Sequence, residues 1–356
     1  MKKLNLAIIG QGRSGKDIHG RYYRSDDNEY FNVKYVIDED EHRRCVAEEI
    51  YPGCKTFSDY RELSGLEDVD LVVNSTYSEL HYPITKELLL MGKNVLVEKP
   101  FSKTRYECDD LIKTANDKGV VLAVFQQTFF APFYVFLNEL IKSGKLGEVK
   151  QISIRYNSLA RRWDWQTLQK KCAGGAYNTG PHPIGMGLGF IDFDKNARVA
   201  YSKLGLALAS GDSDDYAKII IDAPGKPVVD IEISSIDAYT PYNVLIQGSR
   251  GTAKSTVKSC EMTYIVDGEN PERPVIDTFL KDENGAPIYC SEKLIKHEET
   301  VEFTGTAFDV GTATLYKQLY DRITMGKPMT VIPEMARDII SVIEEVHAAN
   351  PLPLKY

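Results

Sequence analysis

The chain has 356 residues, of which 43% are hydrophobic and 26% are charged, and its formal net charge is −8. This composition is ordinary for a globular protein, and the length predicts two domains with a large apolar core. The negative charge argues against nucleic acid or an anionic membrane as the main partner. No apolar run approaches the roughly 18 residues of a membrane span.

The six cysteines are scattered without a C-x-x-C pair. They predict reduced thiols rather than a zinc site or a disulfide framework, and we expect no metal. The apolar run behind the basic start is short and ends in glycines without a cleavage site. We therefore expect a cytoplasmic protein.

The first motif follows an apolar run, Leu4–Ile9, that predicts a buried strand. Three glycines come next at G-x-G-x-x-G spacing, and a helix is predicted from the fourth loop residue onward. In a dinucleotide fold they allow a tight turn, close approach of a pyrophosphate and close helix packing. The loop residues expected to hold the cofactor are Gly10, Gly12, Arg13, Ser14 and Gly15.

The same loop allows two other interpretations. The residues GQGRSGKD match a nucleotide-triphosphate P-loop except at Asp17, which replaces the Ser or Thr that holds Mg²⁺. The third interpretation is a glycine turn that binds nothing. Residues further along the chain decide between these alternatives.

Up to residue 125, short apolar runs alternate with helical stretches, which predicts βαβ units and a parallel sheet. We expect an α/β fold with an N-terminal Rossmann domain over residues 1–125. The further predicted strands are Val33–Ile37, Asp70–Asn74, Asn94–Val97 and Val120–Phe125, and the predicted helices are Glu41–Ile50, His81–Met91 and Thr104–Lys118.

Asp38 ends the second predicted strand, 23 positions after Gly15. A dinucleotide fold places an acid there to bind the adenosine ribose hydroxyls. Because a carboxylate repels a 2′-phosphate, Asp38 favours NAD over NADP. Arg43 and Arg44 follow closely, so NADP stays open as the less favoured cofactor.

After residue 125, long alternating strands replace the regular alternation with helices. The pattern predicts an α+β domain over residues 126–356, built on a large, mostly antiparallel open sheet. Residues 267–296 are polar and predict an excursion or hairpin. The other predicted elements are strands Val149–Asn157, Arg198–Leu208, Ala217–Asp222, Pro227–Ile236 and Asn243–Gly248, and helices Pro132–Ser143, Thr312–Met325 and Pro333–Ala348, the last of which could pack back on the first domain.

Two clusters carry side chains capable of chemistry. Glu98-Lys99-Pro100 follows a predicted strand at the carboxyl edge of the sheet, where ligands bind in open α/β sheets. In the second cluster, Asn178 and His182 are four residues apart and would share one face of a helix. Each cluster also has a purely structural interpretation. The first could be a solvated turn, and the second could be a turn set by Pro181 and Pro183.

In this order, the motifs resemble the Gfo/Idh/MocA (glucose–fructose oxidoreductase, inositol dehydrogenase) family. The resemblance implies a Rossmann domain, a second domain whose open sheet often joins subunits, and a homo-oligomer, either a dimer or a tetramer. It also implies reversible oxidation of a sugar or cyclitol hydroxyl with NAD(P). The matching segments are GQGRSG, NSTYSELH, EKP at 98–100, KSGKLGEV at 142–149, GGAYNTGPH at 174–182 and GKPMTVIPEMARDIISVIEEV at 326–346.

The resemblance assigns Lys99 and His182 as catalytic residues, with Asn178 as their partner. Burial near a cationic nicotinamide would lower the pKa of a lysine enough for it to accept a hydroxyl proton. An imidazole could orient the hydroxyl or act as the base itself, so the base stays open. The further cofactor contacts that the resemblance implies are Thr76, His81, Glu98, Lys99 and Gln127.

Three departures from the family pattern concern the substrate. Asn178 stands where Asp is usual, and an amide cannot accept a proton near neutral pH. Residues 126–129 (QQTF) replace an Asn followed by two arginines, and Trp165-Gln166 replaces Trp-Arg. The missing arginines argue against a phosphorylated or carboxylated substrate.

Several aromatic residues near these positions could stack on a sugar ring or belong to the core. The pattern favours a neutral sugar, a glycoside (oxidised at glucoside C3) or a cyclitol as substrate. A glycosidase that oxidises transiently and then eliminates, or a non-catalytic NAD-binding sensor, stays open. The predicted substrate contacts are Lys99, Phe129, Trp163, Trp165, Gln166, Asn178 and His182.

Overall fold

The computed structural model describes residues 2–356. Its first part is a six-stranded parallel sheet with the strand order β3-β2-β1-β4-β5-β6. The strand order reverses at β1, so a crevice opens at the carboxyl ends of β1 and β4. The elements are β1 (Leu4–Ile9), α1 (Gly20–Tyr23), β2 (Phe31–Ile37), α2 (Glu41–Ile50), β3 (Lys55–Phe57), β4 (Leu71–Asn74), α3 (His81–Leu90), β5 (Val95–Val97), α4 (Arg105–Lys118) and β6 (Leu122–Val124).

The parallel sheet is covered by helices on both faces. Strands β4, β5 and β6 are buried at every position and consist mainly of Val and Leu, as expected where no strand face meets water. The predicted Rossmann fold is therefore confirmed. The edge strand β3 was not predicted, because only three residues form it and none is fully buried.

The second part is built on an eight-stranded open sheet with the order β16-β13-β12-β11-β7-β10-β9-β8. All neighbours are antiparallel except β7 and β10, which confirms the predicted mostly antiparallel sheet. Its elements are α5 (Pro132–Ser143), β7 (Val149–Asn157), α6 (Pro181–Phe190), β8 (Arg198–Gly205), β9 (Tyr216–Asp222), β10 (Val228–Ser234), β11 (Val244–Gly248), β12 (Gly251–Ser255), β13 (Ser259–Tyr264), β14 (Leu280–Lys281), β15 (Pro287–Ile288), β16 (His297–Glu302), α7 (Thr312–Met325) and α8 (Pro333–Ala349).

Helix α6 lies unusually close to the inner face of the second sheet. A side chain at Gly187 would place its Cβ 2.7 Å from Val229 and 3.3 Å from Ile231, so only hydrogen fits there. Gly185 likewise faces Ile339 of α8. The glycines that weaken this helix by propensity thus let it pack, and the helix in turn positions His182 near its first turn.

Helices α7 and α8 connect the second part of the chain to the first. Tyr316 of α7 is fully buried, stacks on Tyr22 at 4.5 Å and lies with its hydroxyl 2.7 Å from His19 Nδ1. Tyr23 donates a hydrogen bond to the same hydroxyl. In α8, Arg337 pairs with Asp109 of α4 at 3.3 Å. No helix among residues 2–356 is long and apolar enough to cross a membrane.

We expect Tyr316→Phe to lower the free energy of unfolding by about 1–3 kcal/mol, because it leaves buried polar groups without their partner. Urea unfolding of the full chain measures this. Tyr320→Phe is the matched control, since that hydroxyl bonds one backbone carbonyl within the described part of the chain, that of Lys2 at 3.0 Å. An equal loss in both variants would contradict a special role for the Tyr316 hydroxyl.

Candidate active site

The glycine loop after β1 presents three different environments. Gly10 has a φ of +89°, and a Cβ there would lie 2.7 Å from the carbonyl oxygen of Ser75. A Cβ on Gly15 would lie 1.8 Å from the carbonyl oxygen of Gly10, whereas a Cβ on Gly12 would meet nothing within 4 Å. The loop is therefore tightly packed on the protein side and open at Gly12, where a ligand can approach the backbone.

Asp38 joins the end of β2 to this loop. Its carboxylate accepts hydrogen bonds from the backbone N–H groups of Gln11 at 2.7 Å and Asp40 at 2.9 Å. The guanidinium of Arg43 lies 3.5 Å from the same carboxylate. A carboxylate and a guanidinium thus lie side by side at the position that binds the adenosine ribose in a dinucleotide fold.

The residues present fit a dinucleotide. A cavity of about 150 Å³ is lined by Gln11, Lys16, Arg43 and two neighbours in α2. The buried Nε2 of Gln11 and Oε1 of Gln127 have no hydrogen-bond partner among residues 2–356, so both can bond a ligand. Arg13 and Ser14 lie at the loop surface and are partly or fully exposed.

The loop after β4 contains Thr76 and His81. The Thr76 hydroxyl donates to Asn74 Oδ1 at 2.7 Å. His81 is buried, with Nδ1 2.6 Å from the carbonyl of Pro100 and Nε2 3.3 Å from that of Thr76. Burial lowers the pKa of His81, against the opposing effect of these carbonyls. His81, predicted as a cofactor contact, therefore has both ring nitrogens directed at the backbone and connects the loops after β4 and β5.

Glu98 follows β5 and is only 4% exposed. Its Oε1 lies 3.2 Å from His19 Nε2, and its Oε2 accepts the N–H of Lys99 at 3.0 Å. Burial disfavours the ionised form, but the hydrogen bond and charge of His19 outweigh it and lower the pKa of Glu98 to about 2. The carboxylate is thus a fixed negative charge beside Lys99.

Lys99 reaches from the first part of the chain into the second. Its peptide bond to Pro100 is cis, and its Nζ donates to the backbone carbonyl of Asn178 at 2.7 Å. Burial lowers the pKa of Lys99, the charge of Glu98 opposes this, and the charges of Arg13 and Arg162 add to the lowering. Lys99 is therefore easier to deprotonate than a free lysine.

His182 lies in the first turn of α6 with its Nδ1 2.7 Å from the hydroxyl of Thr128. Burial, reinforced by the charge of Lys99, lowers the pKa of His182 to about 3. The imidazole is therefore neutral at physiological pH. Thr128 was not among the predicted site residues, because only the folded chain brings its hydroxyl to the ring.

A cavity of about 320 Å³ opens beside Asn178, whose Oδ1 accepts a hydrogen bond from Gln166 at 2.9 Å. Its walls combine polar and apolar surface in similar amounts. Two arginines line it, of which Arg162 is paired with Asp164 at 2.7 Å. The other lining side chains include Arg13, Tyr156, Ser158, Ser213, Asp215 and Ser234.

None of the predicted aromatic substrate contacts lines this cavity. Phe129 is buried and packs on Tyr134 at 5.4 Å, which places it in the core. Trp163 is 77% exposed, and Trp165 contacts Tyr77 edge to face at 4.9 Å. Of the predicted substrate contacts, Gln166 and Asn178 line the cavity. Lys99 does not line it but bonds the carbonyl of Asn178, and His182 is close enough to feel the charge of Lys99.

Asp214 anchors the turn that carries Asn178. It is buried, its Oδ2 accepts the N–H of Ala176 at 2.7 Å, and its own carbonyl accepts the N–H of Gly175 at 2.7 Å. Burial raises the pKa of Asp214 to about 7, although the bond from Ala176 opposes this. Sequence reasoning missed Asp214, since nothing local marks it as a turn anchor.

Two family models match the chain. Residues 4–126 match the oxidoreductase family with an NAD-binding Rossmann fold, and residues 134–254 match the GFO/IDH/MocA C-terminal domain. The chain therefore belongs to the GFO/IDH/MocA oxidoreductase family, and its first domain is an NAD-binding Rossmann domain.

Curated relatives are distant but similar over much of their length. The 2,7-anhydro-N-acetylneuraminate hydratase of Mediterraneibacter gnavus is 25% identical over 299 residues, covering 81% of this chain and 77% of that protein. The scyllo-inositol 2-dehydrogenase (NADP(+)) IolW of Bacillus subtilis is 23% identical over 349 residues, covering 96% and 92%. An uncharacterized oxidoreductase of Schizosaccharomyces pombe is 30% identical over 191 residues, and this match spans only half of that protein.

Solved structures share the fold across the whole chain. GenD2 from gentamicin A biosynthesis, in complex with NAD, has a TM-score of 0.77 at 20% identity and covers 98% of this chain and 94% of that one. An NAD-binding protein from Listeria innocua has a TM-score of 0.80 at 20% identity, covering 98% of each chain. These likenesses support the two-domain architecture described above.

We expect Gly12→Ala to weaken NAD binding at least about tenfold, equivalent to ~1.4 kcal/mol, because its methyl group enters the open side of the loop. The melting temperature should not change, since that space is empty. Titration calorimetry with NAD measures the affinity. Gly65→Ala is the matched control, because its Cβ position is also open but lies in a different loop. Unchanged NAD affinity in Gly12→Ala would contradict the predicted use of this loop.

Proposed function

We propose that the protein is an NAD(H)-dependent oxidoreductase that oxidises a ring hydroxyl of a neutral sugar, glycoside or cyclitol to the ketone, reversibly. The observation that carries the proposal is the bond from Lys99 Nζ to the carbonyl of Asn178, which joins the strand-end loop of the Rossmann domain to the wall of a cavity of about 320 Å³. The named inositol dehydrogenase relative supports the substrate class. Glucoside C3 is the specific position we propose.

The cavity supports a neutral polyhydroxy substrate. Serine hydroxyls and the paired amides of Gln166 and Asn178 offer both donors and acceptors, as sugar hydroxyls require. The charge of Arg162 is already met by Asp164, so it offers little to a free acid group. The substrate contacts of this proposal are therefore polar rather than aromatic.

NAD, held by the glycine loop and Asp38, supplies the hydride acceptor when bound. The chain's own residues handle the hydroxyl proton. Lys99 and His182 flank the Asn178 turn. Burial lowers the pKa of both side chains, so each loses its proton more easily than a free side chain does. Glu98 keeps its negative charge and limits how far the pKa of Lys99 falls.

A screen for NADH formation with cyclitols, free sugars and aryl glucosides tests the proposal. We expect Lys99→Met and His182→Asn each to lower kcat by about 10²–10⁴-fold, because each removes a group that holds or moves the proton. Lys103→Met is the control, since that exposed lysine lies four residues along the same loop. Unchanged turnover in both site variants would refute these roles.

A second candidate function is a glycosidase or hydratase that oxidises its substrate only transiently. The relative named as a hydratase favours it, because adding water causes no net oxidation. In the same screen, release of an aryl aglycone without net NADH would identify this reaction. NAD binding without turnover of any compound would instead identify a sensor.

We further propose NAD rather than NADP as the working cofactor. The buried carboxylate of Asp38 repels a 2′-phosphate, although Arg43 beside it moderates that repulsion. Asp38→Ala should weaken NAD binding about tenfold and NADP binding much less, measured as two Kd values. Glu39→Ala is the control, because that neighbouring acid is exposed. Equal losses for both cofactors would contradict the ribose role.

We also propose a homo-oligomer, a dimer or a tetramer, that acts in the cytoplasm. All six cysteines are free thiols, which supports a reducing compartment. The open sheet supports an oligomer, since its outer face carries half-buried charged pairs such as Arg155–Asp230 at 2.7 Å rather than a covering layer of helices.

A further inference from the structure

We infer that Thr128 is a positioning residue that holds His182 as the tautomer with its proton on Nε2, so that Lys99 is the base of the reaction. The part that concerns the reaction rests on the proposed function. The part that concerns the tautomer rests on the structure of the free chain alone.

The contact between the two side chains is short and shielded. Thr128 lies in a turn directly after β6, is 5% exposed, and places its Oγ1 2.7 Å from Nδ1 of His182. A hydroxyl and a ring nitrogen at this distance share one hydrogen, which belongs to one of them. Which atom donates decides the chemistry of the opposite ring nitrogen.

The hydrogen-bond partners of Thr128 indicate that its hydroxyl is the donor. Among residues 2–356, its Oγ1 has no hydrogen-bond partner other than His182. If Nδ1 donated, the hydroxyl proton would be buried without an acceptor, at a cost of about 1–3 kcal/mol. The hydroxyl therefore donates to Nδ1, and Nδ1 carries no proton.

The burial of His182 completes the assignment. The lowered pKa of this imidazole, about 3, keeps it neutral, so its single proton resides on Nε2. An Nε2–H group donates a hydrogen bond and cannot accept the hydroxyl proton of a substrate. His182 therefore holds the reacting oxygen as a donor.

Of the groups near His182, only Lys99 can accept the hydroxyl proton of the substrate. Glu98 is ionised but its two oxygens face His19 and the N–H of Lys99, and Asn178 is an amide. The charges acting on Lys99 are those of Glu98, Arg13 and Arg162, and its pKa is lowered overall. When the O–H bond breaks, the electron pair stays on oxygen and the proton forms the fourth bond at Lys99 Nζ.

The tautomer can be observed without any substrate. In the full-length protein with ¹⁵N-labelled imidazoles, we expect His182 to show an unprotonated Nδ1 and a protonated Nε2, unchanged between about pH 6 and 9 because its pKa lies well below that range. His182→Asn assigns the signal by its loss. A protonated Nδ1, or a doubly protonated ring in this range, would overturn the inference even if no sugar is ever oxidised.

Variants of Thr128 then test the link to catalysis. We expect Thr128→Val to remove the tautomer preference and to lower kcat by about tenfold to hundredfold, with KM changed less than about threefold, and Thr128→Ser to restore both. We expect kcat/KM to rise with pH as a single group, Lys99, loses its proton. This rise should be absent in Lys99→Arg. Thr114→Val is the control, as a buried threonine remote from the ring. An unaltered rate and spectrum in Thr128→Val would refute the positioning role.

Discussion

A buried negative charge determines how the candidate site is put together. Glu98 is withdrawn from water yet ionised, and an uncompensated charge in such a place would cost several kcal/mol. The compensation comes from His19, in the segment after the glycine loop, and from the backbone of Lys99. His19 is in turn held by Tyr316 of α7. The segment after the glycine loop, the lysine loop and a C-terminal helix are therefore joined by one chain of buried polar contacts.

The two domains contribute different kinds of side chain to the candidate site. The Rossmann domain contributes charge, through Glu98 and Lys99, at the carboxyl edge of its sheet. The second domain contributes neutral hydrogen-bonding groups, through Asn178 and His182, on a turn and a helix packed against the open sheet.

Much of the fold was predictable because its elements follow local rules. Several ranges agree with the structure residue for residue, namely Leu4–Ile9, Glu41–Ile50, Pro132–Ser143, Val149–Asn157 and Thr312–Met325. Strand β16 was missed because HEETVE has hardly any apolar residues to alternate. Helix α6 was not among the predicted elements, and a helix and a proline turn both stayed open for this segment. Two prolines and three glycines oppose a helix by propensity, and its stability comes from close packing on the sheet.

Candidate site residues were predictable only where a reactive side chain stands within a recognisable sequence motif. Lys99, Asn178 and His182 stand in such motifs, and the fold brings their loops together. Thr128 acts on a ring 54 positions away and Asp214 on a backbone N–H 38 positions away, so neither contact leaves a trace in the local pattern. The aromatic residues could be assigned to the core or to a ligand only once Phe129 and Trp163 had been placed in space.

The last helix gives the molecule a mechanical property. It is fastened to the Rossmann domain by Glu344, which accepts the N–H of Arg105 at 2.9 Å, and to the second sheet by Asn350, which donates to Ser202 at 2.9 Å. A hinge that parted the domains would have to break one of these attachments or move the helix with them. The angle between the two domains is therefore linked to the position of this one helix.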